Sequence, residues 1–446
     1  MTNDPGDRPD DGGDNPFKGT PFEQLFAAFG GGGPGAAMPD LSALMGQMQA
    51  MFAPQEGSVN WTLARDVARR TVAGAPDPSP TEKDRAEVAD AMRLADHWLD
   101  AATDFASGVH TSTAWSRAEW VEETLPVWKR LVEPVAQHVV EAMGQALPEE
   151  ARAMAGPLIG ILGQAGGAMF GGQVGQALGT LAREVLTASD IGLPLGPDGR
   201  AAVLPANVRA FSEGFDVGAD DVLLYLCLRE AAHQRLFAQV PWLRAHLLAA
   251  VEDYGRGTTI DVSRIEASIR EVDPGDPAAL QRAMEGGLFE PEKTPAQQAA
   301  LVRLETTLAL VEGWVDEVVA QATESRMPAA SRLQEAVRRR RAAGGPAEST
   351  FAALVGLELR PRRLRDASAL WGSLRSRQGP DARDAVWAHP DLLPTAADLD
   401  DPLGFREGPD AAAPEALSDA AFDAALAELL DKEDGGTDNG GQDRRE

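Results

Sequence analysis

From about Trp61 to about Ala397 the apolar residues recur with the 3.6-residue period of an α-helix, and the two-residue alternation of a half-buried strand is sparse. A chain patterned this way buries one stripe of each helix against its neighbours, so the sequence predicts a mainly α fold. Candidate helices cover Pro80–Ser107, Arg117–Leu147, Leu158–Ser189, Ala219–Gln239, Trp242–Tyr254, Pro277–Glu285, Pro295–Thr323 and Ala329–Ala342. The exception is Leu193–Val208. There Pro197-Asp198-Gly199 separates two short apolar runs and predicts a small β-hairpin or sheet element. Pro394 marks the expected end of the last regular element. At 446 residues and 43% hydrophobic, the chain is long enough to bury a sizeable core.

The formal net charge of −28 is placed mostly at the ends. Residues 1–60 carry eight acids and two bases, and residues 398–446 carry fifteen acids and four bases. Both ends are rich in Asp, Gly and Pro, too polar to offset the entropy of ordering, so the expected organisation is an acidic tail at 1–60, a helical domain at 61–397 and a second, mostly disordered acidic tail at 398–446. Short amphipathic helices are expected inside the tails. One carries Phe22, Leu25, Phe26 and Phe29, a second Leu41, Leu44, Met45, Met48 and Phe52, and a third spans Ala416–Leu430. Each either docks a partner or packs back on its own domain.

Charge also narrows the partners. An acidic chain repels phosphate, so nucleic acid is not an expected partner. The eleven arginines between Arg332 and Arg377, against four acids, read as internal neutralisation of an acidic fold or, failing that, as an anion surface. The acidic N-terminus lacks an apolar signal core, and a cytoplasmic location is expected. Cys227, the one cysteine, excludes an internal disulfide and a multi-cysteine zinc site. It lies in the apolar run Val222–Leu228 and reads as a buried, inert thiol.

One predicted helix is unusual. Gly163, Gly167, Gly171, Gly175 and Gly179 recur every four residues, and no charge falls between Arg152 and Arg183. Gln164, Gln173 and Gln176 dilute it, so close packing inside a soluble fold is favoured over stable membrane insertion.

The segment that carries chemistry is Leu228-Arg229-Glu230-Ala231-Ala232-His233-Gln234-Arg235-Leu236-Phe237. A zinc peptidase helix places two histidines at i and i+4, so that both imidazoles face one metal, with a glutamate beside the first as general base. Here the second histidine position is His233 and the base position is Glu230, but the first histidine position holds Arg229. A guanidinium stays protonated and offers no lone pair to a metal.

This segment resembles a bacterial, largely actinobacterial, family of zincin-like proteins described as zinc-dependent metallopeptidases or hydrolases. The resemblance extends to Val240-Pro241-Trp242-Leu243, Leu310-Val311-Glu312-Gly313-Trp314, Gly171-Gly172-Gln173-Val174-Gly175-Gln176, Asp190-Ile191-Gly192-Leu193-Pro194 and Trp387-Ala388-His389-Pro390. It covers most of Trp61 to Leu403 and implies a zincin-like helical domain, zinc as cofactor, and a peptide or protein as substrate or partner. By resemblance, Glu230 is the catalytic base, and His233 and Glu312 are metal ligands. Arg229 departs from the pattern. Either it replaces the metal's charge by pairing with Glu230 or Glu312, or it points away and one of His97, His110, His138, His246 and His389 completes a shifted site. The spacing leaves open both a metallopeptidase-type hydrolase and a non-catalytic interaction protein on the same scaffold.

Overall fold

In a computed structural model of the chain, the residues described are 57–145, 156–213, 216–256, 294–342 and 363–406. All of them fall in one compact unit, Pro54–Glu446. The predicted tail helices and the predicted helix Pro277–Glu285 lie outside the described residues. Twelve α-helices and two short strands occur among those described.

The chain enters through α1 (Trp61–Ala73). The Asn60 side chain caps it by accepting from the Leu63 N–H at 2.9 Å. Helix α2 (Glu82–Leu99) starts with a capping box formed by Thr81 and Asp84, and it buries Val88, Met92, Ala95 and Leu99 at helical spacing. Helix α3 (Arg117–Gln145) follows, then the glycine-rich α4 (Gly156–Ala182).

The four-residue glycine spacing is explained by α1. A side-chain carbon at Gly171 would stand 2.5 Å from the Asn60 carbonyl oxygen, and one at Gly179 would stand 2.5 Å from Thr71 Cβ. The same holds for Gly175 against the Ala64 carbonyl. The stripe lets two helix backbones touch, and no described helix is long and apolar enough to cross a membrane.

The β element differs from the hairpin option. Strand β1 (Thr111–Ala114) and strand β2 (Arg200–Val203) pair in parallel, with Thr111 opposite Arg200 and Ala114 opposite Val203. Pro197–Gly199 does turn the chain, since the Arg200 N–H donates to the Pro197 carbonyl at 3.2 Å and Gly199 has φ +69°. Only the run after the turn becomes a strand, and it pairs with a segment some 90 residues earlier. Its end turns helical instead, because Pro205 suits the first turn of α5 (Pro205–Ser212).

The core is built on two helices, α6 (Ala219–Gln239) and α8 (Pro295–Thr323). Helix α7 (Pro241–Arg256) packs on α8 and α3, and α2 packs on α6. Helices α9 (Ala330–Ala342), α10 (Leu364–Gln378), α11 (Pro380–Ala385) and α12 (Ala396–Asp400) close the other side, α10 lying along α8. Helix α12 follows Pro394, the expected end of regular structure. Its capping box, Thr395 with Asp398, supplies the start signal that restores helix after the proline. Helices α1, α5, α10, α11 and α12 were not among the predicted segments.

Seven of the nine described arginines of the basic cluster face acids of their own fold, while Arg332 and Arg377 donate to main-chain carbonyls. Arg338 meets Asp316, Arg340 meets Asp190 at 2.9 Å, Arg341 meets Glu312 at 2.9 Å, and Arg365 meets Glu335 at 3.1 Å. Arg363 meets Asp400, and Arg375 meets Glu317.

Candidate functional site

Helix α6 is buried on every side from Tyr225 to Leu236. A helix enclosed this way is normally apolar all round. Here it carries Arg229, Glu230, His233, Gln234 and Arg235 into the interior. Helix α8 does the same with Glu312, Asp316 and Glu317. Buried charges persist only when paired and hydrogen-bonded, so the two helices must satisfy one another or their neighbours.

They do so around one carboxylate. Arg229 Nη2 donates to Glu312 Oε2 at 2.6 Å. His233 Nε2 lies 2.9 Å from Glu312 Oε1, and Arg341 Nη2 of α9 reaches the same oxygen at 2.9 Å. The other ring nitrogen of His233, Nδ1, faces the Arg229 carbonyl one turn back at 2.9 Å. Both ring nitrogens therefore face oxygen atoms, one main-chain and one carboxylate. One turn along α8, Asp316 Oδ2 accepts from Ser368 at 2.9 Å, from Gln334 at 3.0 Å and from Arg338.

A loop seals the cluster. Asp190 accepts from the Leu186 N–H and from Arg340 through its side chain, each at 2.9 Å, and its carbonyl accepts from Arg341. Two residues on, Gly192 sits at φ +78°, and a side-chain carbon there would stand 2.8 Å from Glu312 Oε1. Only glycine lets the loop come down on the carboxylate.

The electrostatics follow from this packing. Burial alone would raise the Glu312 carboxyl, but Arg341, His233 and Arg229 outweigh it and bring it down to about 2. Burial alone would lower the Arg229 guanidinium, but Glu312, Tyr225 and Asp316 together raise it. Glu230 goes the other way. Burial pushes its carboxyl up, partly offset by His233 and by hydrogen bonds from Gln234, Thr187 and Ser189.

Of the sequence-predicted site residues, His233 and Glu312 are thus side by side. Glu230 faces a separate polar pocket, where it accepts from the Ser189 N–H at 3.0 Å and from the Gln234 amide at 3.0 Å. Arg229 pairs with Glu312, one of the two partners the sequence left open. The other described histidines do not complete a site. His97 and His389 are exposed beside Asp100 and Asp391, His246 meets the ring of Trp242 edge-on, and the His138 side chain lies outside the described residues. His110 sits against Gly199. Among the described residues, no three His, Cys, Asp or Glu side chains are grouped to hold a metal ion. Sequence reasoning gave no site role to Asp316, Asp190, Gly192 or Arg341, although Asp190 and Gly192 lie in a segment that carries the resemblance. The Arg338–Arg341 run was the one visible signal for Arg341.

The donor set does not fit zinc. A catalytic zinc takes three donor side chains and keeps a fourth position open. Here one of the three positions is a guanidinium, a second guanidinium lies on Glu312 Oε1, and the His233 Nε2 that a metal would need is turned to the same oxygen. The four motif side chains are also buried. Glu230 is 0% exposed, Glu312 1%, His233 2% and Arg229 5%. Cys227 is also buried, and burial together with Glu230 raises its thiol, as expected of an inert cysteine.

A mainly helical domain whose two central helices carry E-x-x-H and a later glutamate side by side defines a zincin-like class of protein. The family model for zincin-like metallopeptidases matches residues 59–405, and the chain belongs to that family. The fold is also similar to a crystal structure from Chloroflexus aurantiacus, described as a novel fold and only provisionally as a hydrolase. That match has a TM-score of 0.56 and 19% identity, and covers 77% of this chain and 96% of the other. No curated protein matches the sequence.

Proposed function

We propose that this chain is a catalytically degenerate zincin-like protein, one that keeps the metallopeptidase scaffold and uses it to bind a peptide or protein partner rather than to cleave one. The observation that carries this reading is the occupancy of Glu312. Both of its oxygens are taken by Arg229, His233 and Arg341, and Glu312, Arg229 and His233 are buried. Hydrolysis of a peptide needs an activated water near a carbonyl and a charge to stabilise the oxyanion. A buried ion cluster supplies neither position. The zincin-like family supports a peptide-class ligand. The charge pattern supports a cytoplasmic protein that does not bind nucleic acid.

The second reading is a zinc-dependent hydrolase. It is favoured by the retention of Glu230 and His233 on adjacent turns of one buried helix, and it needs Arg229 and Arg341 to leave Glu312. A peptide-library cleavage assay with zinc supplied separates the two. The expected result is no cleavage by the wild type above that of Glu230→Gln. Cleavage that disappears on Glu230→Gln would establish the hydrolase.

A further inference from the structure

Glu312 draws its compensating charge from two different helices. Arg229 of α6 reaches Oε2, and Arg341, in the last turn of α9, reaches Oε1. Arg338, one turn before Arg341, meets Asp316, one turn after Glu312. The arginines at 338 and 341 and the acids at 312 and 316 therefore form a two-rung ladder between oppositely directed helices. Arg341 also donates to the Asp190 carbonyl, which ties α9 to the sealing loop. Its Nε–H is buried with no acceptor, a cost that a surface arginine would avoid by turning to water.

We infer that Arg229 and Arg341 jointly replace the divalent cation of a zincin-type helix pair: two guanidinium charges, one on each oxygen of Glu312, hold the carboxylate that a single metal ion would otherwise hold. This rests on the non-catalytic reading above and adds a residue from outside the motif helix. It follows that the R-E-x-x-H departure at Arg229 is half of the replacement. Restoring a histidine there leaves Glu312 Oε1 still occupied by Arg341, with a positive charge beside the metal position.

The test uses the full chain as wild type, Arg229→His, Arg341→Met and the double variant, each titrated with zinc against a chromogenic chelator. The double variant is expected to bind one zinc, at least about tenfold more tightly than Arg229→His alone, and to lose it on adding His233→Ala. Equal affinity for Arg229→His and the double variant removes Arg341 from the replacement and overturns the inference, leaving the non-catalytic reading intact. A folded double variant that binds no zinc also overturns it. Stoichiometric zinc in the wild type, lost on His233→Ala, overturns both. Thermal melts keep the question open to refutation if the double variant does not fold. Arg341→Met is expected to lower Tm by about 5–10 °C in the wild type and by much less in a Glu312→Gln background. Equal drops in the two backgrounds contradict the shared carboxylate.

Discussion

Arg229 and Glu312 form a buried ion pair, Nη2 to Oε2 at 2.6 Å, across the contact between α6 and α8. A buried pair gains little over an apolar pair of the same size, but removing one partner strands the other. Glu312→Gln leaves Arg229, Arg341 and His233 facing each other without their anion. The expected loss is about 3–5 kcal/mol, read from urea unfolding of the full chain.

Gly192 tests the seal over the same carboxylate. Its φ of +78° and the 2.8 Å approach to Glu312 Oε1 both oppose a side chain. Gly379 has a similar φ, +92°, with nothing within 4 Å of an added carbon. Gly379→Ala therefore measures backbone strain alone, about 1–2 kcal/mol. Gly192→Ala adds the collision with Glu312 to its own backbone strain, and its unfolding free energy is expected to fall further in the wild type than in a Glu312→Ala background.

The glycine stripe of α4 makes a similar paired prediction. At Gly175 an added carbon would collide with the Ala64 carbonyl, while at Gly172 it would meet nothing within 4 Å. Gly172→Ala is expected to be neutral or to stabilise by up to about 1 kcal/mol through helix propensity. Gly175→Ala is expected to destabilise by about 1–3 kcal/mol, since α1 must move away. Thermal melts of the two variants decide it.

Acid should weaken the fold from two places. The carboxyl of Glu312 is brought from an ordinary 4.5 to about 2. That of Asp84 is brought from 3.8 to about 2, where burial opposes the shift and the Thr81 cap and Arg209 outweigh it. Each folded value lies below its unfolded one. The stability each contributes is therefore fully present above the unfolded value and is lost as pH falls towards 2. Asp84→Asn should cost about 1 kcal/mol at neutral pH, the usual worth of a cap, and should flatten the stability profile between about pH 4 and pH 2. Unfolding free energies measured across that range check both.

Much of the helical plan was legible because each long helix has to show one apolar stripe, and period survives in sequence. The stripe of glycines on α4 was legible as close packing, but not its partner, because Ala64, Ala68 and Thr71 leave no matching signature on α1. Of the two forms expected at Leu193–Val208, a hairpin or a sheet element, the structure has the sheet, for a local reason. A turn signal between two apolar runs does not say which run pairs, and Ala201–Val203 found Ser112–Ala114 instead. At the site, the placement of Arg229, Glu230 and His233 on one helix was legible because it depends on spacing alone. Glu312 was legible by resemblance. Arg341 was not, because the sequence shows a basic run without saying which acid each arginine meets, and that choice is made only when α9 docks against α8 and the Asp190 loop.

Metal content of the purified full-length chain, measured by mass spectrometry of the metal after removal of loosely bound ions, tests the central claim most directly. A site filled by Arg229 and Arg341 predicts well under one zinc per chain, and no change on His233→Ala or Glu312→Gln. One zinc per chain, lost in either variant, would contradict it and return the chain to the zinc-dependent hydrolases.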